Sequence, residues 1–233
     1  MDNIRILNNY VLVKLDKENT SIKLKNGFEL YVDDTFEPEK HATVTGVVTK
    51  MPERIHYYGV PNRGMPWKVN IELNVGDKVV FYYLSVINAL KTDTQRYILH
   101  GDDRFAFIPY DKIYAIYGDG FVKPINGYVL VEPMSDPFIE RLKERMKAIG
   151  MEAVIFQKKN NTHVTFAKVR YIGRPIIEYV DDNHSDEGVD ISVGDIVVLR
   201  RTYDIPLEYE LHSKIDKPSK LIKVQRRNIL AKI

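Results

Sequence analysis

Val75-Gly76-Asp77-Lys78-Val79-Val80 returns 118 residues later as Val193-Gly194-Asp195-Ile196-Val197-Val198, and Asn9-Tyr10-Val11-Leu12-Val13 returns at the same spacing as Gly127-Tyr128-Val129-Leu130-Val131. Two landmarks sharing one offset mark an internal duplication, and a period this long makes each copy a domain. Tyr97-Ile98-Leu99-His100 is echoed by Tyr209-Glu210-Leu211-His212, and Ile113-Tyr114-Ala115-Ile116 by Ile229-Leu230-Ala231-Lys232-Ile233, with offsets that drift by a few residues. Loops have therefore changed length between copies. The turn Gly118-Asp119-Gly120 separates them, which divides the chain into domains at 1–117 and 118–233.

Each copy reads as β. Tyr10 to Leu15, Thr43 to Thr49, Lys78 to Leu84 and Arg104 to Ile108 are short runs of Val, Ile, Phe, Tyr and Thr between turn residues, the pattern of an all-β sandwich or barrel. In Val-Gly-Asp-x-Val-Val the Gly and Asp form a tight turn just ahead of a buried strand. One segment departs. Asp136-Pro137 opens a stretch in which Phe138, Ile139, Leu142, Met146 and Ile149 share one helical face among charged residues, and Gly150 stands past its end. The spacing predicts an amphipathic helix over about 136–149, expected to pack its stripe on its own domain, with docking of a partner as the other reading.

Composition narrows the function. The 233 residues are 44% hydrophobic and 28% charged, enough apolar material for packed cores, and 34 Lys plus Arg against 32 Asp plus Glu give a net charge of only +2. No strong field exists for nucleic acid or an anionic membrane. Zero cysteines exclude disulfides, thiolate metal sites and cysteine nucleophiles. The longest nearly apolar run, Val79 to Leu90, is far short of the ~20 residues that span a bilayer. Met1-Asp2-Asn3-Ile4-Arg5 shows no secretory pattern, so the expected location is the cytoplasm.

The order of these features resembles the GroES-type co-chaperonin family in a tandem version. The opening strand Ile4 to Lys14, a long loop, Thr45-Gly46-Val47-Val48, the Val75-Gly76-Asp77 turn into Val79-Val80-Phe81 and the closing strand Asp111 to Ile116 carry the resemblance over most of 1–117, and more weakly over 118–233. It implies two small, partly open β-barrels, the second with the helix inserted, and a ring homo-oligomer that caps a GroEL-type, ATP-driven chaperonin over a folding client. The partner binds the nucleotide, and the chain needs no cofactor.

In that family a mobile loop after the first strand docks on the chaperonin. The matching stretch is 17–40, with Gly27, Phe28, Glu29, Leu30, Tyr31 and Val32 as the implied docking residues; Glu29 departs from the family's apolar middle position. Many weak loops on a ring bind through avidity and release readily. An ordinary barrel strand over Phe28 to Val32 is the competing reading. In the second copy the helix takes the loop's place, with Gly150 to Ile155 a faint echo, so one docking loop per chain is expected. Family rings are seven-fold, which tandem chains lying side by side cannot fill by whole numbers. Either seven chains form a heptamer through their N-terminal domains, which the unequal loops favour, or the ring departs from seven-fold symmetry.

Ile55 to Trp67 occupies the place of the family's roof hairpin, with Tyr57, Tyr58 and Trp67 either lining the dome opening or folding onto their own barrel. Its counterpart, Tyr179 to Gly188, lacks the spacing of a calcium loop and reads as a solvated turn. Six scattered histidines, no nucleophile elbow and no Gly-x-Gly-x-x-Gly after a strand argue against an enzyme and against a metal site. Two alternatives remain. One is a structural ring or decoration protein, for instance viral, that kept the fold. The other is a single-stranded nucleic-acid-binding barrel that stacks bases on Tyr57, Tyr58 and Trp67 and tracks phosphates with Lys214, Lys217, Lys220, Lys223, Arg226 and Arg227, charges that otherwise solvate the last strands.

Overall fold

A computed structural model describes residues 4–16, 21–23, 28–31, 43–57, 65–86, 97–149, 166–180, 185–186, 188–200 and 221–233. Strands dominate. In chain order they are β1 (Tyr10–Leu15), β2 (Ser21–Lys23), β3 (Glu29–Tyr31), β4 (Thr45–Lys50), β5 (Trp67–Lys68), β6 (Lys78–Phe81), β7 (Tyr97–His100), β8 (Asp103–Pro109), β9 (Ile113–Gly118), β10 (Phe121–Pro124) and β11 (Tyr128–Met134). Helix α1 (Pro137–Ala148) follows, then β12 (Phe166–Ile172), β13 (Glu178–Tyr179), β14 (Ile196–Leu199), β15 (Ile222–Gln225) and β16 (Ile229–Lys232). All the strand pairs are antiparallel. The chain is a mostly β protein, as its alternating runs require.

The duplication is written into the hydrogen bonding. One sheet runs β10-β9-β6-β4-β1-β8-β7 and the other β16-β14-β12-β11-β15. Matching β1 to β11, β4 to β12, β6 to β14, β8 to β15 and β9 to β16 makes the five shared strands follow one order. Even the irregularities repeat. The register shifts between Leu12 and Val13 and again between Leu130 and Val131, and between Val80 and Phe81 and again between Val198 and Leu199. A bulge bends its strand and increases local twist, and the register is interrupted at equivalent places in the two sheets.

The turns leading into β6 and β14 match atom for atom. Asp77 accepts the Asn74 N–H on Oδ2 at 2.8 Å, and Asp195 accepts the Ser192 N–H on Oδ2 at 2.7 Å. Gly76 and Gly194 hold φ of 96° and 98°, a region that disfavours side chains with a Cβ. Their N–H groups donate to Val48 and Val169 at 2.8 and 2.9 Å, tying each turn to the neighbouring strand.

Packing joins the halves. Val11, Val13, Val79, Phe81 and Ile108 form the first core, which also takes in Ile125, Ile176 and Tyr179 from the second half of the chain. Val129, Val131, Val169, Val197 and Val224 build the second core, and Val80, Tyr114, Ala115, Val122 and Leu130 pack between the sheets. β10 belongs to the second repeat by sequence, yet it pairs with β9 and so extends the first sheet. A two-stranded ribbon of β5 and β13 makes a further link.

Helix α1 starts as its sequence dictates: the Asp136 side chain accepts the Phe138 N–H at 2.9 Å with Pro137 in the first turn, and Arg145 and Lys147 stand in the last. The expected packing of its stripe is not found. Phe138, Ile139, Leu142 and Ile149 are exposed, and no residue of α1 is buried. The Phe138 ring meets Phe166 of β12 edge-on at 6.4 Å, and Met146 is half-buried.

Candidate partner-binding surface

Between β1 and β4 the chain leaves the first sheet and forms a separate hairpin. β2 and β3 pair as Ser21 with Tyr31, Ile22 with Leu30 and Lys23 with Glu29, and among the described residues this two-stranded sheet is joined to neither large one. Phe28, just ahead of β3, is 71% exposed. Of the docking residues expected from the sequence, Glu29, Leu30 and Tyr31 thus lie in a strand, though not one of the main sheets, while Gly27 and Val32 lie outside the described residues. Helix α1 occupies the same topological place in the second repeat, between β11 and β12. Gly150 to Ile155 also lies outside the described residues.

The segment expected as a roof is described only at Ile55 to Tyr57 and Met65 to Trp67. Asn9 grips it at two points, its Nδ2 donating to the His56 carbonyl at 2.6 Å and its Oδ1 accepting the His56 N–H at 2.7 Å. The Tyr57 hydroxyl donates to the Val69 carbonyl at 2.8 Å. Trp67 is buried in the first core and meets the Tyr128 ring edge-on at 6.4 Å, so its ring presents no open face for stacking. Tyr58 lies outside the described residues.

Two polar knots sit at the junction of the repeats, and sequence reading found neither. Asn126, at φ 58°, donates from Nδ2 to the carbonyls of Tyr110 and Ile113 at 2.7 and 2.9 Å. Its own N–H donates to Glu72 Oε1 at 3.3 Å, and the Glu72 N–H donates to the Tyr110 hydroxyl at 2.8 Å. Burial pushes the Glu72 carboxyl above its ordinary range, against the weaker pull of the Asn126 N–H and of Lys123 and Arg174. Glu72 Oε2 and Asn126 Oδ1 are buried without a hydrogen-bond partner.

The second knot corrects the reading of Tyr179 to Gly188 as a solvated turn at its two buried residues, Tyr179 and Asp186; residues 181–184 and 187 lie outside the described residues. Asp186 is buried and accepts the Ile176 N–H at 3.0 Å and the Tyr179 hydroxyl at 3.2 Å, and desolvation again raises its carboxyl. Arg226 Nη2 donates to the Gly173 carbonyl at 2.7 Å. Two of the C-terminal cations likewise differ from expectation. Lys223 and Arg226 are buried, Lys223 Nζ lies 3.5 Å above the Tyr114 ring, and Arg227 lies 4.5 Å over the Tyr179 ring. Lys223 and Arg226 serve packing, Arg227 is exposed as expected of a charge that solvates the last strands, and Lys214, Lys217 and Lys220 lie outside the described residues.

Among the described residues no helix is long and apolar enough to cross a membrane. No family model matches the chain, and no curated protein matches it either.

Proposed function

We propose that this chain is a tandem co-chaperonin, a non-enzymatic protein of two GroES-like barrels that assembles into a ring and caps an ATP-driven chaperonin. The observation that carries the reading is the repeated five-strand order with its repeated register shifts, interrupted in the first copy by a strand pair that, among the described residues, pairs with neither large sheet. Bulges at equivalent places supply the curvature a small barrel needs. The separate hairpin with exposed Phe28 suits a docking element that binds weakly one at a time and strongly in a ring. Its replacement by α1 in the second copy supports one docking loop, residues 17–40, per chain.

The nucleic-acid alternative loses support from the burial of Trp67, Lys223 and Arg226, since a base needs an open ring and a phosphate an accessible cation. Capture on a GroEL-type chaperonin in ATP or ADP tests the proposal. Deletion of Gly27 to Leu30 should abolish it, and undiminished capture by that variant refutes the loop assignment. A ring that no chaperonin captures would instead favour the structural or decoration reading.

A further inference from the structure

Helix α1 turns apolar residues outward. Phe138, Ile139, Leu142 and Ile149 are 57%, 41%, 57% and 71% exposed, and Phe138 keeps that exposure although its ring meets Phe166 edge-on. On a helix of 3.6 residues per turn these four, with half-buried Met146 among them, share one arc of roughly 100° that runs from the first turn to the C-cap.

The charges of α1 are sorted about that stripe. By the same geometry Arg145 and Lys143 stand at its two borders, Arg141 and Lys147 lie one step further out on either side, and Glu140 and Glu144 fall on the far face. All four cations are exposed. Lys143 pairs with Glu140 at 2.9 Å in the open, and pairs of that kind hold only weakly. Long Lys and Arg stems lie along apolar surface while their charged ends reach toward the polar side. Cations at both borders with carboxylates behind them therefore suit a helix whose apolar face sinks into a plane rimmed by negative charge.

The order of the charges also decides between occupants. A second copy of α1 laid on the stripe would set cations against cations along both borders, in either direction. A protein groove is read through a few central anchors, whereas here the apolar residues are spread from Phe138 to Ile149 between two rows of cations. A flat anionic surface meets that pattern along its full length.

We propose that α1 is a membrane-surface element, lying in the headgroup plane of an anionic bilayer with Phe138, Ile139, Leu142 and Ile149 inserted and Arg141, Lys143, Arg145 and Lys147 on the lipid headgroup anions. A net charge of +2 over 233 residues supplies no long-range attraction, so the contact depends on this local order and weakens with salt. One helix of 12 residues binds weakly and reversibly, and several copies on one particle bind through avidity. The surface is separate from residues 17–40 and stands with or without a chaperonin.

Vesicle flotation and a single fluorescent label test it. The full chain should float with vesicles of phosphatidylcholine mixed with phosphatidylserine and not with vesicles of phosphatidylcholine alone. I139D/L142D should abolish flotation without altering the thermal melt, because both side chains are exposed. R145Q/K147Q should weaken it by about tenfold or more. The chain has no cysteine, so L142C can carry one polarity-sensitive dye, whose emission should rise when the serine-containing vesicles are added. Equal flotation with both kinds of vesicle, flotation with neither, or flotation indifferent to I139D/L142D would overturn the proposal. So would a dye already in apolar surroundings before lipid is added, which would mean that residues 150–165 or a second copy cover the stripe, and so would a dye that responds to a chaperonin and not to vesicles. Phosphatidylserine-dependent flotation of a chain that no chaperonin captures would support the proposal and count against the co-chaperonin reading alone.

Discussion

The Asn126 side chain donates to the Tyr110 carbonyl at 2.7 Å across the junction of the two repeats, from a backbone held at φ 58°. A left-handed residue with a short amide can turn the chain and close the gap together, which Asn does at lower cost than other residues with a side chain. Replacing it by Ala should strand two buried carbonyls and strain the turn, a loss of about 2–4 kcal/mol measured by chemical denaturation. Gly, which relieves the turn but restores no hydrogen bond, should fall between.

The paired turns give a second test. A Cβ at Gly76 or Gly194 meets nothing within 4 Å, so any cost of Ala there is backbone strain at φ 96° or 98°. Each substitution should cost about 1–2 kcal/mol, and the double variant about the sum, because the turns lie in different sheets. A double variant no worse than either single one would contradict the equivalence of the repeats.

Stability should fall as pH rises through the range where unfolded Glu72 ionises and folded Glu72 does not. Burial raises its folded carboxyl, so the folded state holds the proton longer, and the slope is negative from the ordinary glutamate range up to the raised value. Glu72→Gln, able to place an amide where Oε2 now lacks a partner, should flatten that part of the profile and be neutral or stabilising near pH 7. Melting curves of the two proteins across this range are the measurement, and parallel profiles would contradict the assignment.

Trp67 is the single tryptophan and packs on Tyr128 of the other repeat. Its emission should therefore report on the union of the halves, blue-shifted when folded and moving red in the same transition that circular dichroism tracks. Separate transitions would mean that the repeats unfold independently.

Much of this architecture was legible because duplication prints the same alternation and the same Gly-Asp turn twice. Helix α1 was legible from Asp136-Pro137 and its charges, which are local signals. The direction its stripe faces was not, since that depends on whether a neighbouring element covers Leu142 and Ile149. Charged residues misled for the same reason. Lys223, Arg226 and Asp186 look like surface residues in the sequence and become core residues only where Tyr114, the Gly173 carbonyl and the Ile176 amide await them. Residues 17–40 stood out through their Gly-Phe sequence, but the pairing of Glu29 to Tyr31 with Ser21 to Lys23 required the register.

We propose a ring that docks through residues 17–40, and co-elution with a GroEL-type chaperonin tests it. With ATP or ADP present, the full chain should move into the chaperonin's size-exclusion peak, and should leave it when nucleotide is removed or when Gly27 to Leu30 are deleted. A chain that elutes separately under every nucleotide condition would refute the docking.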